Sequence, residues 1–259
     1  MDEAAIGWGG LALSLILVAL AVGLSVWQGL RLEREMLWAC GRALAQLLAV
    51  GYVLVLLIDE DTPVVWAWLW VVGMVAFAAI TVRRRATEIP GITGLALGAI
   101  AASASISLLV VFGLGVYPNV ARAVVPIAGM MIGNSIGGVV VAARRIIGEL
   151  ADRRPEVEAR LALGQPWQQA SRPFTRTALR TALTTQIENT KAVGLVFLPG
   201  AMTGLILAGA DPVDAVLVQA ALMYLILGCV ATNAVVIGLG LTRRLFTPDH
   251  RLVRLVREA

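Results

Sequence analysis

One short segment in the second half of the chain carries an acid and a base at helical spacing. In the stretch QIENTK at 186–191, Glu188 and Lys191 stand three residues apart and share one face of a helix, where they can pair. Such a pair is either an interfacial contact at the edge of a membrane or part of a transport pathway. The second interpretation follows because ionisable groups at membrane depth are costly and usually functional. Both interpretations stay open.

A proline–glycine pair follows eight residues after Lys191, at Pro199 and Gly200. Proline removes a backbone hydrogen bond and glycine adds conformational freedom, so a helix is predicted to kink or break here. Broken membrane helices often bind substrates, because their freed carbonyl and amide groups line a cavity. A kink that serves only packing is the alternative.

Other polar and sulfur-containing side chains serve either helix packing or the same pathway. The polar candidates are Gln46, Asn134 and Gln219, and the thioethers that a soft metal ion can use include Met130 and Met202. Methionine is also ordinary filler in apolar interiors, so Glu188, Met130 and Met202 are only weak candidates for a metal site. Glycines at 129, 133 and 137 repeat every four residues, which predicts close helix packing.

The composition shows what kind of element must position these residues. Of 259 residues, 59% are apolar and 15% are charged, where soluble domains average nearer a quarter charged. A bilayer core needs about 20 apolar residues per helix. Seven such spans are predicted, at 4–30, 36–58, 62–82, 94–116, 123–143, 192–210 and 215–242. The fold class is therefore all-α and polytopic, with residues 1–259 forming one membrane domain.

The basic residues predict the orientation of these spans. With the N-terminus outside and the C-terminus inside, 19 of the 21 arginines and lysines lie on the cytoplasmic side, which follows the positive-inside rule. The outer loops then carry acids, at 59–61 and at Asp211 and Asp214. A multi-pass protein of the cell inner (plasma) membrane is expected, in contact with lipid and not with nucleic acid.

One cytoplasmic connection is much longer than the others. Residues 144–180 are rich in helix-forming residues, and Pro155, Gly164, Pro166 and Pro173 are predicted to divide them into short pieces. A solvated helical hairpin is one interpretation. The other is a docking element, in which Gly164 permits a sharp bend between two helices that present a rigid knob to a cytosolic partner.

The chain has no phosphate-binding loop, because its only lysine, Lys191, is followed by Ala192 and Val193. Any ATP and magnesium are therefore expected to bind a partner subunit, and no cofactor is expected in this chain. The basic tail 243–259 includes arginines at 251, 254 and 257, which predict a short amphipathic helix on the anionic inner leaflet. A frayed, solvated tail is the alternative.

Several segments together resemble a known family. The spacing Glu158-Ala159-Arg160, three residues, Gly164 resembles the EAA-type loop of ABC importer permeases, with Arg160 in place of the second alanine. Most of the chain resembles the Fet-type iron-export permeases, also called uncharacterised protein family 0014, which include plant aluminium-tolerance permeases. The matching segments are GRALAQL at 41–47, VGYVL at 50–54, PIAGM at 126–130, LALG at 161–164, KAVGLVFLPGAMTG at 191–204 and AGADP at 208–212.

The resemblance implies a permease subunit without enzymatic activity that pairs with a cytosolic ABC ATPase. Coupling to that ATPase is expected at Glu158, Ala159, Gly164, Pro166 and Trp167. A homodimer of permeases with two ATPases is expected, because seven helices are too few to enclose a pathway. Iron or another metal cation is the expected cargo, exported from the cell.

Three alternatives stay open. The first is an ABC permease for a non-metal cargo such as a nucleotide sugar, which plant relatives of the family suggest. An ion-driven secondary transporter would prefer several carboxylates at mid-membrane depth, where only Glu188 is a candidate. A seven-helix receptor has the same topology, but a retinal protein needs a lysine in its last helix, and 215–242 has none.

Overall fold

The structure, a computed structural model, is helical over the residues it describes, apart from turns, extended connections and isolated bridge residues. The described residues are 8–58, 62–89, 91–194, 198–247, 249 and 251–253. The chain divides into two compact units, residues 1–62 and 63–259. Each is described separately, and a single permease domain over 1–259 stays a prediction.

The first unit is a helical hairpin of α1 (Trp8–Gln28) and α2 (Glu33–Ile58). Its turn is held by Ser25, whose hydroxyl donates to Glu33 Oε1 over 2.9 Å and accepts from the Leu32 amide over 3.2 Å. Most other side chains of both helices are exposed within this unit, including Gln46. Such apolar exposure is typical of helices that lie against lipid or other helices.

The second unit contains seven α-helices in its described part. They are α3 (Val65–Arg85), α4 (Ile92–Leu108), α5 (Ala121–Asp152), α6 (Arg154–Ala162), α7 (Trp167–Ala192), α8 (Gly200–Leu207) and α9 (Pro212–Arg244). A π-helical segment, Leu109–Gly113, continues α4. The core is made of small and β-branched residues on the facing sides of α3, α4, α5 and α9.

Hydrogen bonds bring the ends of these helices into two groups. At the end that we call the basic end, Arg244 donates to the Gly91 carbonyl over 2.7 Å, and Arg144 donates to Glu88 and to the Arg85 carbonyl. At the opposite end, Trp68 donates to Asn119 and Tyr117 to the Val218 carbonyl. The helices therefore run antiparallel between two ends, as membrane spans do, and the basic end is the one predicted to be cytoplasmic.

Helix α9 lies at the centre of the unit and packs against α4, α5 and α7 through glycines. Leu179 of α7 approaches Gly238, Leu95 of α4 approaches Gly240, and Val230 of α9 lies where a Cβ on Gly138 of α5 would be. Absence of a side chain at these positions lets the backbones come close.

Six described helices are long and apolar enough to cross a membrane: α1, α2, α3, α4 with its π-helical extension, α5 and α9. The span predicted at 192–210, with its break at Pro199 and Gly200, is not filled by a helix long enough to cross a membrane. In its place α7 ends at Ala192 and α8 has only eight residues, about 12 Å, which cannot cross a core of about 30 Å. Helix α7, which is more polar than the predicted span, runs beside α9.

One further correction concerns the cytoplasmic connection. Helix α5 continues past the predicted membrane edge at 143 to Asp152, and Pro173 lies inside the continuous helix α7 and does not divide it. The reason is packing: Ala170, Phe174 and Ala178 are buried on either side of the proline and hold the helix together.

The glycine repeat of α5 is also placed differently from the prediction. A Cβ at Gly133 or Gly137 would meet no atom within 4 Å in the described residues, and at Gly129 it would meet only the end of Met74. The close approach to α9 is made by Gly138, where a Cβ would lie 2.8 Å from Val230 Cγ1. Because a helix repeats every 3.6 residues, the face of α5 that meets α9 differs from the face bearing Gly133 and Gly137.

The predicted amphipathic helix in the basic tail was wrong over the residues described. Leu252 forms an isolated antiparallel bridge with Phe246, so residues 251–253 fold back on the end of α9. Residues 254–259, with Arg254 and Arg257, lie outside the described residues.

The glycine contacts predict a sharp difference between neighbouring positions. Gly138→Ala should destabilise the protein by about 1–3 kcal/mol, because the stiff Val230 side chain must move away from the new methyl group. Gly137→Ala is the matched control and should be neutral or slightly stabilising, because alanine favours a helix and meets open space. Thermal unfolding in detergent measures both. Equal effects of the two substitutions would contradict the packing of α5 on α9.

Candidate functional site

The depth of the Glu188–Lys191 pair follows from the register of α7 on α9. The Thr175 and Thr242 hydroxyls hydrogen-bond over 3.2 Å near the basic end of α9, and Leu179 packs on Gly238. The two helices are therefore antiparallel, each step along one matched by a step back along the other. Glu188 lies about 20 Å further along α7 than Thr175. At this position Glu188 is level with the middle of α9.

The pair itself forms as the sequence predicts. Lys191 Nζ donates to Glu188 Oε1 over 2.9 Å, and both side chains are exposed. Their exposed neighbours on the last turns of α7 are the polar Thr184, Thr185 and Asn189 and the apolar Ile187 and Ala192. A polar surface at this depth is too costly to face lipid. It therefore requires a protein neighbour or a water-filled space.

The predicted helix break lies directly after this polar segment. Val193 is extended, Gly194 takes a left-handed backbone with φ of 96°, and α8 starts at Gly200 with Pro199 before it. The Pro199 carbonyl accepts from the Thr203 amide and hydroxyl, which begins α8. Residues 195–197 lie outside the described residues. The break is thus longer than Pro199 and Gly200 alone predict.

A buried polar cluster lies at the same level inside the unit. Asn233 donates to the Ser135 hydroxyl over 2.8 Å and to the Cys229 carbonyl over 3.0 Å, and the Cys229 thiol lies 3.4 Å from Ser135 and 3.6 Å from Ser103. All four side chains are fully buried and join α4, α5 and α9. Sequence reasoning missed this cluster, although Cys229 and Asn233 stand four residues apart on one helix face.

The remaining pathway candidates are distributed over several helices. Asn134 is exposed on α5 and donates to the carbonyl of Met130, while Gln219 is buried in α9. Met202 is half-buried on α8. No group of three or more metal-binding histidines, cysteines or acids occurs among the described residues.

The long cytoplasmic connection folds as a helix–turn–helix at the basic end. Helix α6 and helix α7 are joined through Gly164, whose φ of 85° explains why glycine stands there. Leu163 beside it is 82% exposed, and Ala159 and Pro166 are exposed as well. Glu158 is also exposed but pairs with Arg154 over 2.7 Å. The tip of this hairpin thus presents an apolar side chain to the surroundings.

The base of the hairpin is attached to the segment after α9. Trp167 stacks on Phe246 with ring centres 5.7 Å apart, and Arg154 donates to the carbonyls of Leu252 and Val253. Trp167, predicted to contact an ATPase, therefore holds the hairpin to the end of α9. The sequence contains no local signal for this contact, because Phe246 lies almost 80 residues away from Trp167.

A cavity of about 640 Å³ opens at the basic end between the α3–α4 turn and the last turns of α5. Its wall includes Glu88, whose carboxylate lies 2.7 Å from Arg144 Nε. Partial burial alone would raise the pKa of Glu88. Hydrogen bonds from Arg144 and from the Glu88 backbone, with the charge of Arg144, outweigh that effect and hold the pKa below its usual value.

Comparison with known proteins identifies the family of this chain. The model of uncharacterised protein family UPF0014 matches residues 8–246. The chain belongs to this family. Its membership agrees with the helical, multi-pass architecture, and no solved structure matches the chain.

Members of UPF0014 from plants and bacteria align with most of this chain. UPF0014 membrane protein STAR2 of Oryza sativa subsp. japonica is 37% identical over 84% of this chain and 76% of its own length. Protein ALUMINUM SENSITIVE 3 of Arabidopsis thaliana is 34% identical over 86% of this chain and 82% of its own. The probable iron export permease protein FetB of Escherichia coli K12 is 33% identical over 94% of this chain and 93% of its own. The chain is a multi-pass membrane protein of a permease family.

The Glu88–Arg144 pair predicts a pH dependence of stability. Because the folded-state pKa is lowered, the pair stabilises the protein above the unfolded carboxyl pKa of about 4.3, and this contribution is lost as the pH falls through the lower folded value. The difference in melting temperature between the wild type and Glu88→Gln should therefore shrink below about pH 4. Glu149→Gln, on the same cavity wall, is the control that leaves the pair intact. A pH-independent difference for Glu88→Gln would contradict the prediction.

Proposed function

We propose that this chain is the membrane-spanning permease subunit of an ABC transporter in the cytoplasmic membrane. A separate cytosolic ATPase binds ATP and magnesium and supplies the energy. Two copies of the chain form the membrane part of the complex with two ATPase subunits. Iron or another metal cation is the cargo, and it leaves the cell.

The hairpin of α6 and α7 is the observation that carries this proposal. Its tip presents the exposed Leu163 beside the Gly164 turn, and the same helix that leaves the tip ends at the Glu188–Lys191 pair. A push on the tip by a partner is therefore transmitted along one continuous helix of 26 residues. The Trp167–Phe246 contact prevents the base of the hairpin from yielding separately from α9.

The polar last turns of α7 supply one wall of the proposed pathway. They lie beside the middle of α9 and are exposed in the second unit, so another protein surface or water must cover them. A second copy of the chain provides that surface and encloses the pathway between two polar helices. The break from Val193 to Pro199 adds free backbone groups to the same region.

The cargo is proposed from the relatives and from one side chain. FetB is named a probable iron export permease and aligns with 94% of this chain. Glu188 is the carboxylate on the polar part of α7, and carboxylate oxygen is a suitable ligand for a passing metal cation. Gln46, Asn134, Met130 and Met202 remain further candidates along the route.

The hairpin tip predicts the effect of a single substitution on ATPase binding. Leu163→Asp should weaken the complex by about 2 kcal/mol, roughly thirtyfold in affinity, because an apolar anchor is replaced by a charge. Gly164→Val should also uncouple ATP hydrolysis from transport, since valine strains the left-handed turn. Co-purification and ATP hydrolysis with the partner subunit measure both effects.

Gln169→Asp adds the same charge on an exposed position of the first turn of α7 and is the control. It should leave the complex within about twofold of the wild type. The single purified chain should not hydrolyse ATP. Hydrolysis by the single chain would contradict the proposal that a separate subunit is the ATPase. Equal affinity of the Leu163→Asp and wild-type proteins for the ATPase would contradict binding at the hairpin tip.

The ion pair predicts different outcomes for one and two substitutions. Lys191→Ala leaves Glu188 unpaired at membrane depth, at a cost of up to about 3 kcal/mol on insertion scales, so the protein level should fall. Glu188→Ala with Lys191→Ala removes both charges and should restore the protein level. If Glu188 binds the cation, transport is lost in both variants.

Pro199→Ala with Gly200→Ala tests the helix break separately. A longer helix should form there, and transport should fall while the protein level stays unchanged. Protein level and transport are measured together in the wild type and the three variants. Full transport by the double charge variant would remove Glu188 and Lys191 from the mechanism.

A further inference from the structure

Three arginines form a ladder along the exposed side of α7 near the basic end. Arg172, Arg176 and Arg180 follow one another at four-residue intervals, and all three are exposed. Each step corresponds to about 6 Å along the helix axis with a small rotation, so the three guanidinium groups project to one side. We call these residues the α7 arginine ladder.

The ladder arginines have no side-chain partner within the described chain, and five other arginines of the basic end do. Arg144, Arg153 and Arg154 form ion pairs, Arg244 donates to a carbonyl, and Arg160 lies over the ring of Phe174. No ion pair or hydrogen bond is formed by the side chains of Arg172, Arg176 or Arg180 with any described residue. Like charges at this spacing destabilise a helix, so a bound anion would relieve a repulsion that the chain itself leaves.

The helix that bears the ladder is held rigidly from its other side. Ser171, Phe174, Thr175 and Ala178 are buried against the rest of the unit, and Thr175 bonds to Thr242. The three guanidinium groups are therefore presented on a fixed surface. Thr177 and Thr181, on the same helix, donate to carbonyls four residues earlier, so the arginines are the free donors of this surface.

The level of the ladder matches a region where phosphate groups are abundant. Arg176 lies one residue from Thr175, which is level with Thr242 and thus next to the Arg243–Arg244 end of α9. The basic end is the one predicted to be cytoplasmic, so this is the headgroup level of the inner leaflet. The planar guanidinium group of arginine donates two parallel hydrogen bonds to phosphate oxygens, which is more specific than the point charge of a lysine.

We propose that the α7 arginine ladder is a binding site for phosphate groups at the basic end of the protein. The phosphate comes either from an anionic lipid headgroup or from a soluble phosphate-bearing anion, and the chemistry is the same. The site requires only the second unit and the ladder, so it does not depend on the proposed transport function.

The test compares two triple variants with equal loss of charge. One replaces Arg172, Arg176 and Arg180 by glutamine, and the other replaces Arg83, Arg84 and Arg85 by glutamine. The second set is also exposed at the basic end, but consecutive residues on α3 point about 100° apart and form no ladder. Both are prepared as full-length chains in lipid nanodiscs, and their helicity and melting temperature are recorded first.

The soluble source is tested with pyrophosphate in phosphatidylcholine nanodiscs, at constant ionic strength set with chloride. The lipid source is tested by native mass spectrometry of phosphatidylglycerol retained from mixed nanodiscs. We expect the ladder variant to lose about tenfold in affinity in at least one arm, and the α3 variant to stay within about twofold. A loss in the pyrophosphate arm identifies a soluble ligand, and a loss in the phosphatidylglycerol arm alone identifies the lipid.

Equal losses in the two triple variants would indicate only diffuse surface attraction and would overturn the proposal. No loss in either arm would overturn it as well. A lysine version of each triple variant keeps the charge and covers the case in which the glutamine ladder does not fold. The lysine ladder should bind about threefold more weakly than the wild type, because the paired fork is absent. Unchanged binding by the lysine ladder would contradict recognition of phosphate by guanidinium groups.

Discussion

The antiparallel packing of α7 on α9 determines where the chemistry of this protein lies. Two contacts set the register: the hydrogen bond between the Thr175 and Thr242 hydroxyls, and the packing of Leu179 on Gly238. Small residues on α9 permit the close approach, and the register then carries the polar end of α7 to the level of the buried cluster around Asn233. Polar groups at that level are expensive to leave against lipid, so the same packing that builds the fold also creates the need for a covered, polar route.

The basic end joins the helix ends of the second unit to one another and to the α6–α7 hairpin. Arg144 and Arg244 tie α5 and α9 to the turn between α3 and α4, while Arg154 and Trp167 tie the α6–α7 hairpin to the residues after α9. The hairpin is thus joined to the core at its base and free at its tip. In the function proposed above, a partner binds this free tip, and the joined base passes its force to α7 and α9.

Much of this architecture is predictable from the sequence, because the bilayer imposes long apolar helices that charged residues delimit. The α6–Gly164–α7 hairpin, the ion pair of Glu188 and Lys191, and the break before Gly200 were all predicted and are all present. No described helix fills the predicted span at 192–210, because α7 ends at Ala192 and α8 has only eight residues. The prediction that Pro173 divides the segment was wrong because burial of its neighbours against the rest of the unit stabilises the helix around it. The Trp167–Phe246 stack depends on residues far apart in sequence, which no local pattern reports.

The central claim is that α7 continues beside α9 to the middle of the membrane, and a disulfide cross-link between the two helices tests it most directly. With Cys40 and Cys229 replaced by serine, a cysteine is placed at Gln186 of α7 and a second one at Ala231 of α9, which the Thr175–Thr242 register sets at the same level. Oxidation should join this pair rapidly. A second protein carries cysteines at Gln186 and Arg243, which are separated by about 18 Å along the axis and should remain unjoined. Cross-linking of Gln186 with Arg243 and not with Ala231 would place the polar end of α7 at the membrane edge and contradict the account.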